Sequence, residues 1–241
     1  MKSAIKKLAS VVLDYHYMIK GSLRGIIYHT PPAHYLEHIA PGKVPIILIP
    51  GIFGKWTFLK ELGDVLSLEG HPVYIIPDLK YNLFSIPHSA SIVDSLVKSV
   101  RVSTPSFEKA IIVAHSKGGL IGKYFLNHYN KEGSVIQMIS IATPYSGSSM
   151  AKFLPLDPIK ELDTDSLIIQ DLTKHVGINK KITSIIPEYD NHVWAEKGSY
   201  LEGAHNVHVT VHGHHRIVFD EGVRAVIIGR IGDITQQYAT V

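Results

Sequence analysis

Ala110-Ile111-Ile112-Val113-Ala114-His115-Ser116-Lys117-Gly118-Gly119 reads as a buried strand that ends at a serine and turns at once into a helix. Residues 110–114 are all apolar, which suits a strand covered on both faces. Two glycines sit just past the serine, and Leu120, Ile121, Tyr124 and Phe125 then recur at helical spacing. The outcome is a sharp corner with a hydroxyl at its apex. An isolated serine hydroxyl is a poor nucleophile. At such a corner Ser116 meets a base on one side and backbone N–H donors on the other. The local pattern Ala114-x-Ser116-x-Gly118 is one small residue away from Gly-x-Ser-x-Gly, and alanine meets the need for a small side chain where strand and helix backbones approach.

Outward from this corner, strand-like and helix-like segments alternate from Val44 onward, which argues for βαβ units and a largely parallel sheet. Residues 44–49 form a buried strand, and Pro50-Gly51-Ile52-Phe53-Gly54 is the loop at its carboxyl end. Residues 56–68 carry a helical pattern closed by Gly70, 71–76 a strand, and 89–102 an amphipathic helix. The helix after Ser116 runs to about residue 129, and 135–142 is the next strand. Residues from about 146 to 181 break the rhythm, mixing apolar side chains with prolines and charges. This segment reads as a small helical cap insert over the site, or as an ordinary crossover helix with long loops. Short strands return at 182–186 and 207–211, and a final helix covers about 221–231. The expected class is α/β: a mostly parallel central sheet flanked by helices in a single domain over 41–241, behind an N-terminal helix and lead-in over 1–40.

The whole chain agrees with one such domain. It has 241 residues, 45% of them hydrophobic and 19% charged, enough for a large core. A net charge of +3, with basic residues scattered, gives no reason to expect nucleic acid as a partner. Cysteine is absent, so disulfides are excluded. Ile5, Leu8, Val12, Tyr15 and Ile19 share a helical face near Lys2, Lys6 and Lys7. We read this as a helix docked on the domain, with peripheral membrane contact as the minority reading. The apolar run 8–13 is short, interrupted by Ser10 and closed by Asp14, so no secretory signal is expected and the expected compartment is the cytoplasm.

A serine hydrolase needs a base beside the nucleophile, a carboxylate behind the base, and donors for the oxyanion. On a sheet of this kind the order is Ser, then Asp or Glu, then His, each following a strand. After Ser116, the strand 182–186 runs into Glu188, Asp190 and His192, and the strand 207–211 into His212, Gly213, His214 and His215. Asp190 is the preferred acid, although an aspartate there also suits a turn cap. Glu188 is the weaker candidate, too near the strand end. His214, after Gly213, is the preferred base, with His215 as the alternative, while His212 still belongs to the strand. The cluster of His212, His214 and His215, with His205 and His208 nearby, also raises a metal, but there is no cysteine and no ordered carboxylate-histidine pattern to support one, and no cofactor is expected. The N–H groups of Lys117 and Ile52 are the expected oxyanion donors. A phosphate loop fails at Gly54-Lys55 because the glycine spacing is missing and Trp56 stands where Ser or Thr is needed. Phe53, His115, Met150 and Phe153 are candidates to line the substrate pocket.

Together these residues resemble the α/β-hydrolase superfamily, and within it the small bacterial lipases and esterases, from about Val44 to the final helix. Residues 49–54 look like the oxyanion loop, with Pro50 where many lipases carry histidine. Residues 114–120 look like the nucleophile elbow, with Lys117 where methionine is more usual. Residues 141–148 are similar to the Thr-Pro-His-x-Gly-Ser segment, and Asp190-x-x-Val193 and Gly213-His214-x-x-Ile217 to the surroundings of acid and base. The resemblance implies an α/β-hydrolase fold and a carboxylic-ester hydrolase acting on a small ester or lipid. An acyltransferase, a thioesterase and a non-catalytic binding protein are the rival readings. Lys117 sets a cation beside the oxyanion donors. Its side chain reaches solvent, or else turns to the pocket and favours an anionic acyl chain or head group.

Overall fold

Six short strands pair in one parallel sheet. The computed structural model describes residues 2–104, 109–154 and 156–239, without the side chains of residues 2–6 and 239. The strands are β1 (Ile46–Ile49), β2 (Val73–Ile75), β3 (Ala110–His115), β4 (Val135–Ile141), β5 (Ile182–Tyr189) and β6 (His205–His212). Their order is β2-β1-β3-β4-β5-β6, and every neighbouring pair is parallel. The helices are α1 (Lys2–Ile27), α2 (His34–Glu37), α3 (Lys60–Leu68), α4 (Ile86–Ser103), α5 (Lys117–His128), α6 (Asp157–Lys160), α7 (Leu167–Lys174), α8 (Arg216–Phe219) and α9 (Glu221–Ala239). The four-residue helices α2 and α8 are too short to leave a periodic signal, and α9 continues eight residues past its expected end.

Because successive side chains of a strand point to opposite faces, each apolar strand feeds two cores. Ile46 and Leu48 pack with Leu62 and Leu66 of α3 and with Val223, Ile227 and Ile231 of α9. Ile47 and Ile49 pack on the other face with Val93 and Val97 of α4, Leu120 and Phe125 of α5, and Ile169 and Leu172 of α7. The chain adds β2 on one side of β1 and returns to place β3 on the other. At such a reversal the carboxyl ends of the two central strands open a crevice, the usual ligand site of a sheet like this. The loop at 50–54 and Ser116 leave those two ends.

Residues 146–181 divide in two. Ser148, Met150, Ala151, Leu154, Ile159 and Leu162 lie over the crevice, while α7 buries Ile169 and Leu172 in the core beside α5.

The N-terminal helix docks, but by another face than expected. Leu8, Val12, Tyr15 and Ile19 are exposed, as are Leu23 and Ile26 along the same stripe, and the side chain of Ile5 lies outside the described residues. The buried face carries Asp14, with the Tyr17 ring tilted against that of Phe219, Gly21 against the Phe58 ring, and Lys20 and Arg24 paired with Glu61. Apolar periodicity marks a face without saying what that face meets. Here small and polar residues allow the close approach. Among the described residues no helix is long and apolar enough to cross a membrane.

Candidate active site

Ser116 occupies the left-handed region, with φ 53° and ψ −125°, which costs free energy for a residue with a Cβ and persists only where the surroundings impose it. The surroundings do so from both sides. Ser116 N–H donates to Ile141 O at 2.9 Å, and Ser116 O accepts from Gly119 N at 2.9 Å and from Thr143 Oγ1 at 3.1 Å. The Thr-Pro segment thus braces the elbow. Gly118 lets the elbow press on the loop after β1: a Cβ there would lie 2.5 Å from Ile49 O and 2.8 Å from Pro50 O. This contact sets the first turn of α5, with Lys117, against the loop that carries Ile52.

Ser116 Oγ lies 2.9 Å from Nε2 of His214, and Nδ1 of His214 lies 2.8 Å from Oδ2 of Asp190. The carboxylate accepts from Nδ1–H, which leaves Nε2 to accept a hydrogen bond from the Ser116 hydroxyl. Asp190 is also a turn cap: its Oδ1 accepts from the backbone of His192 at 2.8 Å and Val193 at 2.9 Å. The two functions use different oxygens. Ser148 Oγ ties the segment after β4 to this turn, donating to His192 O at 2.7 Å and accepting from Trp194 N at 2.9 Å.

Four imidazoles crowd the site, with the rings of His115, His192 and His215 5.0–5.2 Å from that of His214 or in contact with one another. Burial pushes the basicity of all four down. Only in His214 is this more than reversed, by the charge and hydrogen bond of Asp190 and by the charge of Asp14. Burial and the neighbouring rings hold His115 well below the usual range, and bring His192 to about 4. His215 also falls, although Asp14 opposes the effect. Asp190 in turn is lowered against its burial by His214 and its hydrogen bonds. One imidazole of four is set to take a proton.

His215 therefore does not face the serine; its Nδ1 donates to Asp14 Oδ2 at 2.9 Å. His212 ends β6, with Nε2 3.4 Å from the exposed Glu188. His205 and His208 are exposed on β6 and do not converge. Among the described residues the atoms that converge as metal ligands would are those of Asp14, His192 and His215, within 4.8 Å of one another. The Asp14 oxygens there already accept three hydrogen bonds.

A cavity of about 480 Å³ opens over Ser116, lined by Ile52, Phe53, His115, Met150 and Leu154, and by Tyr15, Met18 and Ser22 of α1. Phe153 does not line it. At the outer side of a short 3-10 turn it is 75% exposed. His115 is buried, and its Nε2–H donates to His214 O at 2.9 Å.

Lys117 corrects both expectations for its side chain. It is 0% exposed and its ammonium turns away from the cavity, donating to Asn82 O at 3.3 Å and Phe84 O at 2.5 Å. Burial lowers it to about 8, with Glu161 opposing. Buried Asn82, itself at φ 54°, donates from Nδ2 to Pro50 O at 2.7 Å. Lysine and asparagine together link the elbow, the loop after β1 and the loop before α4. Sequence reading missed Asn82 and Asp14; Asp14 had one signal, as the lone acid of α1.

No protein-family model matches the sequence, and no curated protein is detectably similar to it. Solved structures are. A lipase of Bacillus licheniformis in its mature form superposes with a TM-score of 0.69 at 17% identity, over 81% of this chain and 95% of that one. Lipase B of Aspergillus fumigatus gives 0.67 at 19% identity, over 82% of this chain and 54% of its own. A structure from work on carboxylesterases of the archaeon Nitrososphaera gargenis gives 0.58 at 13%, over 83% and 94%. At these identities the likeness is one of fold, and the chain has the α/β-hydrolase fold.

Proposed function

We propose that the protein is a carboxylic-ester hydrolase that works through an acyl-enzyme on Ser116. The observation that carries this reading is the continuous hydrogen-bonded line from Ser116 Oγ through His214 to Asp190, placed at the floor of an apolar cavity. His214 Nε2 takes the hydroxyl proton as Oγ attacks the ester carbonyl, and Asp190 holds the imidazole in that tautomer and balances its charge. The N–H groups of Ile52 and Lys117 receive the oxyanion. The imidazolium gives its proton to the leaving alcohol, and water, activated by the same imidazole, then releases the acid. The fold neighbours named as lipases and carboxylesterases agree with this chemistry.

The cavity lining points to an acyl chain of apolar character, and Lys117, turned away, gives no reason to expect an acidic one. The exposed apolar stripe of α1 reaches the cavity mouth through Tyr15. Its one acid, Asp14, is buried, Lys20 is paired with Glu61, and the exposed Lys7 lies over the Tyr189 ring. An exposed apolar stripe at the mouth of the cavity suits a lipid surface. The test is hydrolysis of p-nitrophenyl esters of increasing chain length. Wild type should turn over medium chains faster than acetate, and folded Ser116→Ala should lose on the order of 10⁴-fold or more in kcat. Normal turnover by folded Ser116→Ala would refute the reading.

A further inference from the structure

We propose that Asp14 of α1 is a positioning residue for the base: it holds the turn that carries His214 and sets a second negative charge behind the imidazole. The inference rests on the reading of Ser116, His214 and Asp190 as a triad.

Asp14 is 0% exposed although it belongs to a helix outside the sheet. Its Oδ1 accepts from the backbone of His215 at 2.7 Å and of Arg216 at 2.8 Å, and its Oδ2 from the His215 ring at 2.9 Å. The residue before the base is shaped to admit it. Gly213 has φ +120°, and a Cβ there would lie 2.5 Å from Asp14 Oδ1. The peptide of His214 is held from the other side, its N–H donating to Asn191 Oδ1 at 3.2 Å and its carbonyl accepting from His115. Side chains of the sheet end thus fix His214 itself, and α1 fixes the two residues after it. A turn released from α1 would let the imidazole drift from its 2.9 Å contact with Ser116 Oγ.

The electrostatics act in the same direction. The charged and titratable groups around His214 are Asp190 from the end of β5, Asp14 from α1, His115 from β3, His192 from the loop after β5, and His215 beside it. The three other imidazoles are held less basic than usual, and the two carboxylates are the charges that favour the protonated form of His214. Removing the charge of Asp14 makes His214 less basic. Because the serine is activated by neutral imidazole, the acid limb of reactivity then moves to lower pH.

The experiment measures the rate at which a fluorophosphonate labels Ser116, as a function of pH, in full-length wild type, Asp14→Asn, Asp14→Ala and Ser116→Ala. Asparagine keeps an oxygen for the two backbone donors and loses the charge. Asp14→Asn should move the acid limb to lower pH and label a few-fold more slowly on the plateau. Asp14→Ala, which leaves three partly buried donors unmet, should label on the order of 10²-fold more slowly, the effect of displacing a reacting group by about 1 Å. A merely architectural role would lower the melting temperature and leave the acid limb in place. Folded Asp14→Asn with wild-type rate and wild-type acid limb overturns the proposal, whether or not Asp14→Ala folds. If wild type itself is not labelled, or Ser116→Ala is labelled as fast, the triad reading fails instead.

Discussion

Asp190 and Asp14 stand on either side of one histidine turn, yet the sheet supplies the first and an N-terminal helix the second. Asp190 leaves β5, caps its own turn with one oxygen and meets the His214 ring with the other. Its hydrogen-bond partners lie within three residues or in the turn after the neighbouring strand, and Ser148 ties its turn to the segment after β4. Asp14 depends on the docking of α1 through Tyr17, Gly21 and Arg24, and it meets the backbone beyond His214 rather than the His214 ring. A carboxylate at a strand end sets the ring; a carboxylate brought by a separate helix sets the turn. The site is therefore only as well formed as the contact between α1 and the rest of the domain.

The largest expected effect breaks this comparison at the ring. Asp190→Asn should lower kcat on the order of 10³–10⁴-fold with the fold intact, because the amide favours the wrong imidazole tautomer. Asp14→Asn should cost far less. Equal losses in steady-state kinetics would mean that the two carboxylates do not divide the work in this way.

A smaller effect is expected at Lys117, the other buried charge that joins separate loops. Lys117→Met strips Asn82 O and Phe84 O of their donor, and should destabilise the fold by about 1–3 kcal/mol in urea unfolding. The preference between neutral and acidic esters should not change. A shift in that preference would show that the ammonium reaches the substrate after all.

The smallest effect on catalysis is expected on the outer face of α1. The triple change Leu8→Ser, Val12→Ser and Ile19→Ser should abolish sedimentation with vesicles of phosphatidylcholine and phosphatidylglycerol. Hydrolysis of a soluble ester should stay at wild-type rate, since these side chains point away from Asp14. Unchanged sedimentation would remove the lipid surface from the account.

The elbow and the strand ends were legible in the sequence because their signals are local: an apolar run, a serine, two glycines, and carboxylate and imidazole after successive strands. Sequence reading prefers His214 to His215 because it follows Gly213; the structure sets the His214 ring 2.9 Å from Ser116 Oγ, and the missing Cβ of Gly213 leaves room for Asp14. What α1 does was not legible. Its apolar stripe is the obvious docking face by periodicity, and the structure leaves that stripe outside. The buried face is made of small and polar residues whose partners, Phe58, Phe219, Glu61 and the turn after His214, lie 37 or more residues away. Lys117 misled for a like reason. A lysine at the start of a helix is ordinarily solvated, and its two carbonyl partners belong to a loop 33–35 residues upstream.

The central claim is that Ser116 is the nucleophile, and the mass of the intact protein after reaction with a fluorophosphonate tests it most directly. The account predicts one adduct per chain, mapped by peptide fragmentation to Ser116 and absent from folded Ser116→Ala. An unmodified mass for the folded wild type, or an adduct on another residue, would contradict it.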